Sequence, residues 1–271
     1  MILWACPIPE LPFERFIDTV LFHQMQAPAI AALAPDTPIV FPLAAIEQHG
    51  QHLPVWTDTL LTQALIDRVS LRMHDRVVFA PVMWMGNSHH HLDFNGTLSA
   101  SPRVYLDLLC SLMDNAIEQG FRRIVFINGH GGNDVPAKQA TFEIRQKYSH
   151  RDDLLFLMTT YWGLDVEPWT VDPSIVQREM GHACEWETSM VLALQPELVG
   201  PYASLETIEP GNPFRPGSRA WKTKDRTVPG HIGVPSAASA NKGELLLDLF
   251  SDALVHWLDR VVAWDGHSWE G

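Results

Sequence analysis

One pattern constrains this chain more than any other. Four times an apolar run of strand length stops at a cluster of polar or aromatic residues, and segments of helical period separate the runs. The runs are residues 39–46, 77–84, 123–127 and 154–161. Each is continuously apolar rather than alternating, as expected of strands buried on both faces of a parallel sheet. Pro42 inside the first run is unfavourable, because proline cannot donate to a ladder. Between the runs, 58–73, 102–119 and 134–147 read as helices; Ser101-Pro102 is a start signal and Gly120 a stop signal. Residues 182–194 and 243–262 also read as helices, and 16–26 as an amphipathic helix limited by Pro28. The expected fold class is therefore α/β: a three-layer α/β/α domain with a mostly parallel sheet. All 271 residues are expected to form one domain, with an irregular loop-rich segment at 196–240.

In open sheets of this kind, ligands bind beyond the carboxyl ends of the strands. Here the polar clusters follow those ends: Glu47 and His49 after the first run, 87–95 after the second, His130 after the third, and Tyr161-Trp162 after the fourth. Composition narrows the function. With 19 basic and 32 acidic residues the chain carries a net charge of −13, and no basic stripe marks a nucleic-acid surface. Acidic excess suits a site for divalent cations. Three cysteines with no C-x-x-C pair fit reduced thiols in a cytoplasmic protein. No secretory signal and no apolar run of membrane-spanning length are visible, so no membrane partner is expected.

Four constellations carry chemistry. In Glu47-Gln-His-Gly-Gln-His52, Glu47 and His49 are two apart and would point to one side of an extended segment. Asp58 opens the next helix, either as a simple N-cap or as a carboxylate returning to the same pocket. Imidazole with carboxylate suits zinc, manganese or iron. In Asn128-Gly-His-Gly-Gly-Asn133, three glycines let the backbone approach a ligand around His130. A tight turn or an anion-binding nest are the rival readings; the missing P-loop lysine argues against a nucleotide module. In His182-Ala-Cys-Glu-Trp-Glu-Thr-Ser189, a helix beginning at His182 would carry His182, Glu185 and Ser189 on adjacent turns. Cys184 reads as packing rather than as a nucleophile. Of the three consecutive histidines 89–91, only one or two can line a pocket.

Taken together, Glu47-Gln-His-Gly-x-His-Leu-Pro-x-x-Thr-Asp58, Phe94-x-Gly-Thr97, Asn128-Gly-His-Gly-Gly-Asn133 and His182-Ala-x-x-x-Glu-Thr-Ser189 resemble the creatininase family, in family order over about residues 37–200. The resemblance implies a metal-dependent amidohydrolase acting on a C–N bond of a small cyclic amide or formamide. It implies two divalent metal ions (Zn, Mn or Fe), one on Glu47 and His130, the other on His49, with Asp58 bridging. Creatininase itself has a Glu where Gly132 stands, so Glu187 is expected to complete the second metal site, with Glu185 in reserve. His182 corresponds to the family's catalytic histidine, and Glu187 is expected to share in catalysis. Ser88, His91, Trp162 and Arg178 are expected to line the substrate pocket. Arg178 occupies a position where creatininase has Trp, and Asn95 replaces a usual Pro, so creatinine itself is not the expected substrate. The resemblance also implies a homo-oligomer, a hexamer by family precedent. The alternative is a noncatalytic member of the fold that binds a ligand or partner.

Overall fold

The computed structural model describes residues 21–269. Eight α-helices and four strands appear among them, in the order α1 (Ala27–Ala31), β1 (Ile39–Leu43), α2 (Thr57–Arg72), β2 (Val78–Phe79), α3 (Pro102–Glu118), β3 (Arg123–Asn128), α4 (Asp134–Lys147), β4 (Leu155–Thr160), α5 (Pro168–Val171), α6 (Glu185–Leu194), α7 (Thr223–Arg226) and α8 (Ala240–Ala263). The strands form one parallel sheet in the order β2-β1-β3-β4.

Side-chain alternation along the strands splits the core in two. Val40, Val125 and Ile127 face α2, α6 and α8 across the larger apolar cluster. Ile39, Leu43, Ile124 and Phe126 face α3 and α4 across the smaller one. The chain is thus a three-layer α/β/α structure, as its pattern of runs predicts.

Three expectations need correction. The second strand spans two residues, not 77–84. Pro42 lies inside the interior strand β1 and has no N–H to give the β2 side, and Pro81 removes a further donor. Pairing resumes only as an isolated bridge between Leu43 and Met83. The helix expected from His182 begins at Glu185, with Cys184 as its N-cap. Ala183 sits at φ 48°, outside any helix, and His182 pairs with Ile232 through two backbone hydrogen bonds. Most of the helix expected at 16–26 lies outside the described residues; within them Phe22–Gln24 forms a single 3-10 turn, and Pro28 falls in the first turn of α1 rather than limiting a preceding helix.

The loop-rich segment is irregular as expected, holding short turns and the four-residue α7. It is nonetheless tied down: Ile208 pairs with Gly233, and Ile232 with His182. Among the described residues no helix is long and apolar enough to cross a membrane.

Candidate metal centre

The carboxyl ends of β1 and β3 bring two histidines and two acids to one place. Past β1 the chain runs through buried Ala44 and Ala45 to Glu47 and His49, both about 1% exposed. Past β3, Asn128 clamps the turn: its amide donates to the His130 carbonyl and its oxygen accepts the His130 N–H, at 2.7 and 3.1 Å. Gly129 is required there, because a Cβ would lie 1.9 Å from Thr62 Oγ1. Asp58 lies in the first turn of α2, two residues past the N-cap Trp56 rather than at the cap itself, and is 4% exposed. Its two oxygens face two different rings: Oδ1 lies 3.0 Å from His49 Nε2, and Oδ2 lies 2.9 Å from His130 Nδ1. Glu47 Oε1 is 3.4 Å from that same His130 nitrogen.

Helix α6 delivers the third acid and separates its two glutamates. Glu187 turns one oxygen back to accept the Cys184 N–H at 3.3 Å, and holds the other 3.6 Å from His49 Nε2. Glu185, two residues earlier and about 200° round the helix, faces away. It pairs with Lys242 at 2.7 Å and accepts the backbone N–H groups of Val176 and Gln177. Gly132, where an acid is expected by analogy with creatininase, has no room for one: a Cβ would lie 2.1 Å from the Asn87 carbonyl and 2.7 Å from the His90 ring.

His182 closes the pocket. Its Nε2 lies 2.8 Å from the Gln48 carbonyl, and its Nδ1 lies 3.5 Å from Glu47 Oε1. Its ring stands 4.3 Å from those of both His49 and His91. The Gln48 amide donates to the Gly230 carbonyl and lies 2.8 Å from His91 Nδ1. That leaves His91 Nε2 facing Glu47 Oε1 at 3.5 Å. Ser88 is buried with its hydroxyl 3.2 Å from His130 Nε2. Of the three histidines, His89 is exposed, His90 half-buried and His91 buried.

Charges inside this pocket perturb one another. Burial pushes the Asp58 carboxyl up, but the His49 and His130 rings outweigh it and hold the acid well below the usual range. Burial likewise opposes charge on His130, yet Glu47 and Asp58 raise it to about 10. His49 is raised in the same way by Asp58 and Glu187. Burial raises Glu47. His182 is driven well below its ordinary value by burial and then by His49 and His91, so its imidazole is neutral at neutral pH.

Two expected pocket residues lie elsewhere. Arg178 is exposed, its guanidinium 5.2 Å from the centre of the Trp169 ring. Trp162 packs against the larger apolar cluster and edge-on to Tyr161. The strand-end aromatic that feels the acids is Tyr161, whose hydroxyl is pushed far up by burial and then by Glu187 and Asp58. Gln48 is not singled out by the sequence reading, although its place between Glu47 and His49 is a signal; Tyr161 and His90 enter that reading only as members of their clusters.

The residues fit a bound metal on their own geometry. Glu47 Oε2, His49 Nε2 and Asp58 Oδ2 are buried and make no hydrogen bond of good geometry, although the last two lie at 3.0 and 2.9 Å from ion-pair partners. Buried polar atoms are almost always satisfied, so three orphans converging on one space mark a place kept for a ligand. Ligand atoms of Glu47, His49 and Asp58, of Glu47, His90 and His130, and of His49, His182 and Glu187 lie within 4.8 Å of one another in each group.

The comparisons with known proteins agree. The family model for creatinine amidohydrolase matches residues 23–258. The chain is 31% identical over 241 residues to the mycofactocin precursor peptide peptidase of Mycobacterium tuberculosis, covering 83% of this chain and 85% of that one. It is 27% identical over 254 residues to the creatinine amidohydrolase of Pseudomonas putida, covering 86% and 92%. A creatininase crystal structure superposes with a TM-score of 0.77 at 24% identity, over 89% of this chain and 97% of that one. A mutant creatininase described as Zn–Zn type gives 0.76 at 25%, over 89% and 98%. The fold and site define an amidohydrolase of the α/β/α type with a cluster fit for metal. The chain belongs to the creatininase family.

Proposed function

We propose that this chain is a binuclear metal-dependent amidohydrolase that cleaves a C–N bond of a small amide or formamide. The observation that carries the reading is Asp58, whose two oxygens reach toward His49 and His130 on opposite sides. One cation would be held by Glu47 and His130, the other by His49 and Glu187, with Asp58 between them. Bound there, zinc, manganese or iron supplies Lewis acidity and lowers the pKa of a water to roughly 7. The relatives named for zinc and for manganese support the choice of metals.

The chain's own groups handle the protons. His182 is neutral and donates Nε2–H to the Gln48 carbonyl, which leaves its Nδ1 lone pair facing the site. Placed so, it can accept a proton from the attacking water and return it to the leaving nitrogen. Gln48 holds both rings in orientation, His182 through its backbone carbonyl and His91 through its side-chain amide. A relative named as a peptidase supports a reading in which the substrate need not be a cyclic amide. Creatinine is expected to be a poor substrate. Exposed apolar side chains on the paired α3 and α4, such as Val104 and Phe142, support assembly into a homo-oligomer, which light scattering tests. Trp269 is fully exposed, whereas Trp169 stacks on Trp186.

Elemental analysis of the purified protein, followed by a screen of cyclic amides and formamides, tests the reading. About two equivalents of a first-row divalent metal per chain are expected. Metal-free protein that takes up none on titration would refute it.

A further inference from the structure

One stretch of the chain runs against its overall charge. Between residues 213 and 226 stand Arg215, Arg219, Lys222, Lys224 and Arg226 with the single acid Asp225, in a protein of net charge −13. This stretch is the part of the loop-rich segment that folds over the site: α7 packs on the turn His89–His91. Its cations are not alike. Lys222 is neutralised by Asp93 at 2.6 Å, and Lys224 lies over the Phe94 ring. Arg215 and Arg219 are exposed.

Arg226 is different. It is half-buried, and its guanidinium sits 4.4 Å from the centre of the Trp221 ring. Trp221 stands edge-on to His90 at 5.0 Å, and His90 stacks on His130 at 5.7 Å. The arginine is therefore two rings away from a proposed metal ligand, and its charge helps hold His90 down to about 4, after burial and His130. The other partly buried cations among the described residues have oxygen partners: Arg68 and Arg151 have carboxylates, Arg123 and Arg145 have carbonyls, and Lys242 has Glu185. Arg226 has only the face of Trp221. Burial alone acts on its pKa and lowers it, with no acid among the described residues placed to offset the lost hydration. A guanidinium stays charged in proteins and presents a planar fork that fits carboxylate and phosphate bidentately. A partly desolvated fork without an anion, stacked on an aromatic platform beside a reaction site, is built to receive one.

We propose that Arg226, backed by Trp221, binds an anionic group of the substrate, so that this enzyme acts on amides bearing a carboxylate or a phosphate. The reaction named here rests on the hydrolase reading above, but the anion site does not. The test is therefore calorimetric binding of inorganic phosphate, succinate and the neutral control succinamide, to protein stripped with EDTA and to zinc-loaded protein.

Stripped wild-type protein should bind phosphate or succinate and ignore succinamide. The tighter of the two anions identifies the substrate's group. Arg226→Ala should weaken that binding about tenfold or more, the value of losing one charge-assisted contact. Arg226→Lys should recover part of it, and Arg178→Ala should change nothing. Metal content and melting temperature of Arg226→Ala should match wild type. Equal anion binding by wild type and Arg226→Ala, no binding at concentrations on the order of 10 mM, or loss of metal in Arg226→Ala would each overturn the proposal. If the purified protein holds no metal yet binds the anion through Arg226, the hydrolase reading fails and the anion site stands.

Discussion

Buried charge is handled in opposite ways in two regions of this molecule. At the amino end of the sheet, Arg123 is 6% exposed and donates to the carbonyls of Val261, Val262 and Trp264 at the carboxyl end of α8. Beside α6, Lys242 answers Glu185 and also reaches the Ala237 carbonyl. These charges are completed by the fold itself. At the carboxyl end, Glu47, His49 and Asp58 are as deeply buried but keep orphaned atoms. The contrast separates charges that hold the protein together from charges kept open for a ligand. A buried ionised group costs several kcal/mol unless its partners are in place, so the open cluster must be supported by the rest of the fold until its ligand arrives.

The sharpest way to break this comparison is Asp58→Ala. Removing the acid between the two rings should empty both metal positions and abolish turnover, read by elemental analysis and by the amide screen. Full metal content in this variant would end the bridging assignment. Next, Glu187→Gln should lose one metal and most activity, whereas Glu185→Gln keeps both metals. The reverse result would transfer the ligand role to the acid that the structure pairs with Lys242.

Metal uptake should also expel protons. In the metal-free chain the carboxylates hold His130 protonated up to about 10 and raise His49 as well. Metals bind only the neutral ring, so affinity falls as pH is lowered. Adding zinc at pH 7 in weak buffer should acidify the solution, followed with an indicator dye; uptake without proton release would contradict the geometry.

Two variants at the completed sites should change stability and leave the metals alone. Lys242→Met strands a buried carboxylate and should cost about 3–5 kcal/mol in urea unfolding. Arg123→Ala leaves the last carbonyls of α8 without their donor and should cost about 1–3 kcal/mol. If either variant lost metal, the division between the two kinds of buried charge would not hold.

The layered fold was legible because the strands are continuous apolar runs, the pattern of strands covered on both faces, although the edge strand β4 is only half-buried. The candidate cluster was legible because Glu47, His49, Asp58 and His130 stand beside strand and helix ends that topology forces together. The two-residue β2 was not, since the cost of Pro42 falls on a neighbouring strand that the local pattern does not name. The start of α6 was misplaced because His182 is held in an extended pairing with Ile232, fifty residues on.

By itself, then, the sequence determined the layer order, where each strand begins and the residue types available for metal, because each of these follows from local periodicity or short spacing. Only the tertiary structure decided that Glu187 faces His49 while Glu185 faces Lys242, that Arg178 lies in solvent, and that Arg226 comes to stand beside His90. Those choices depend on which distant side chain meets which, and a contact between residues 57 or 138 positions apart leaves no periodic trace in the chain.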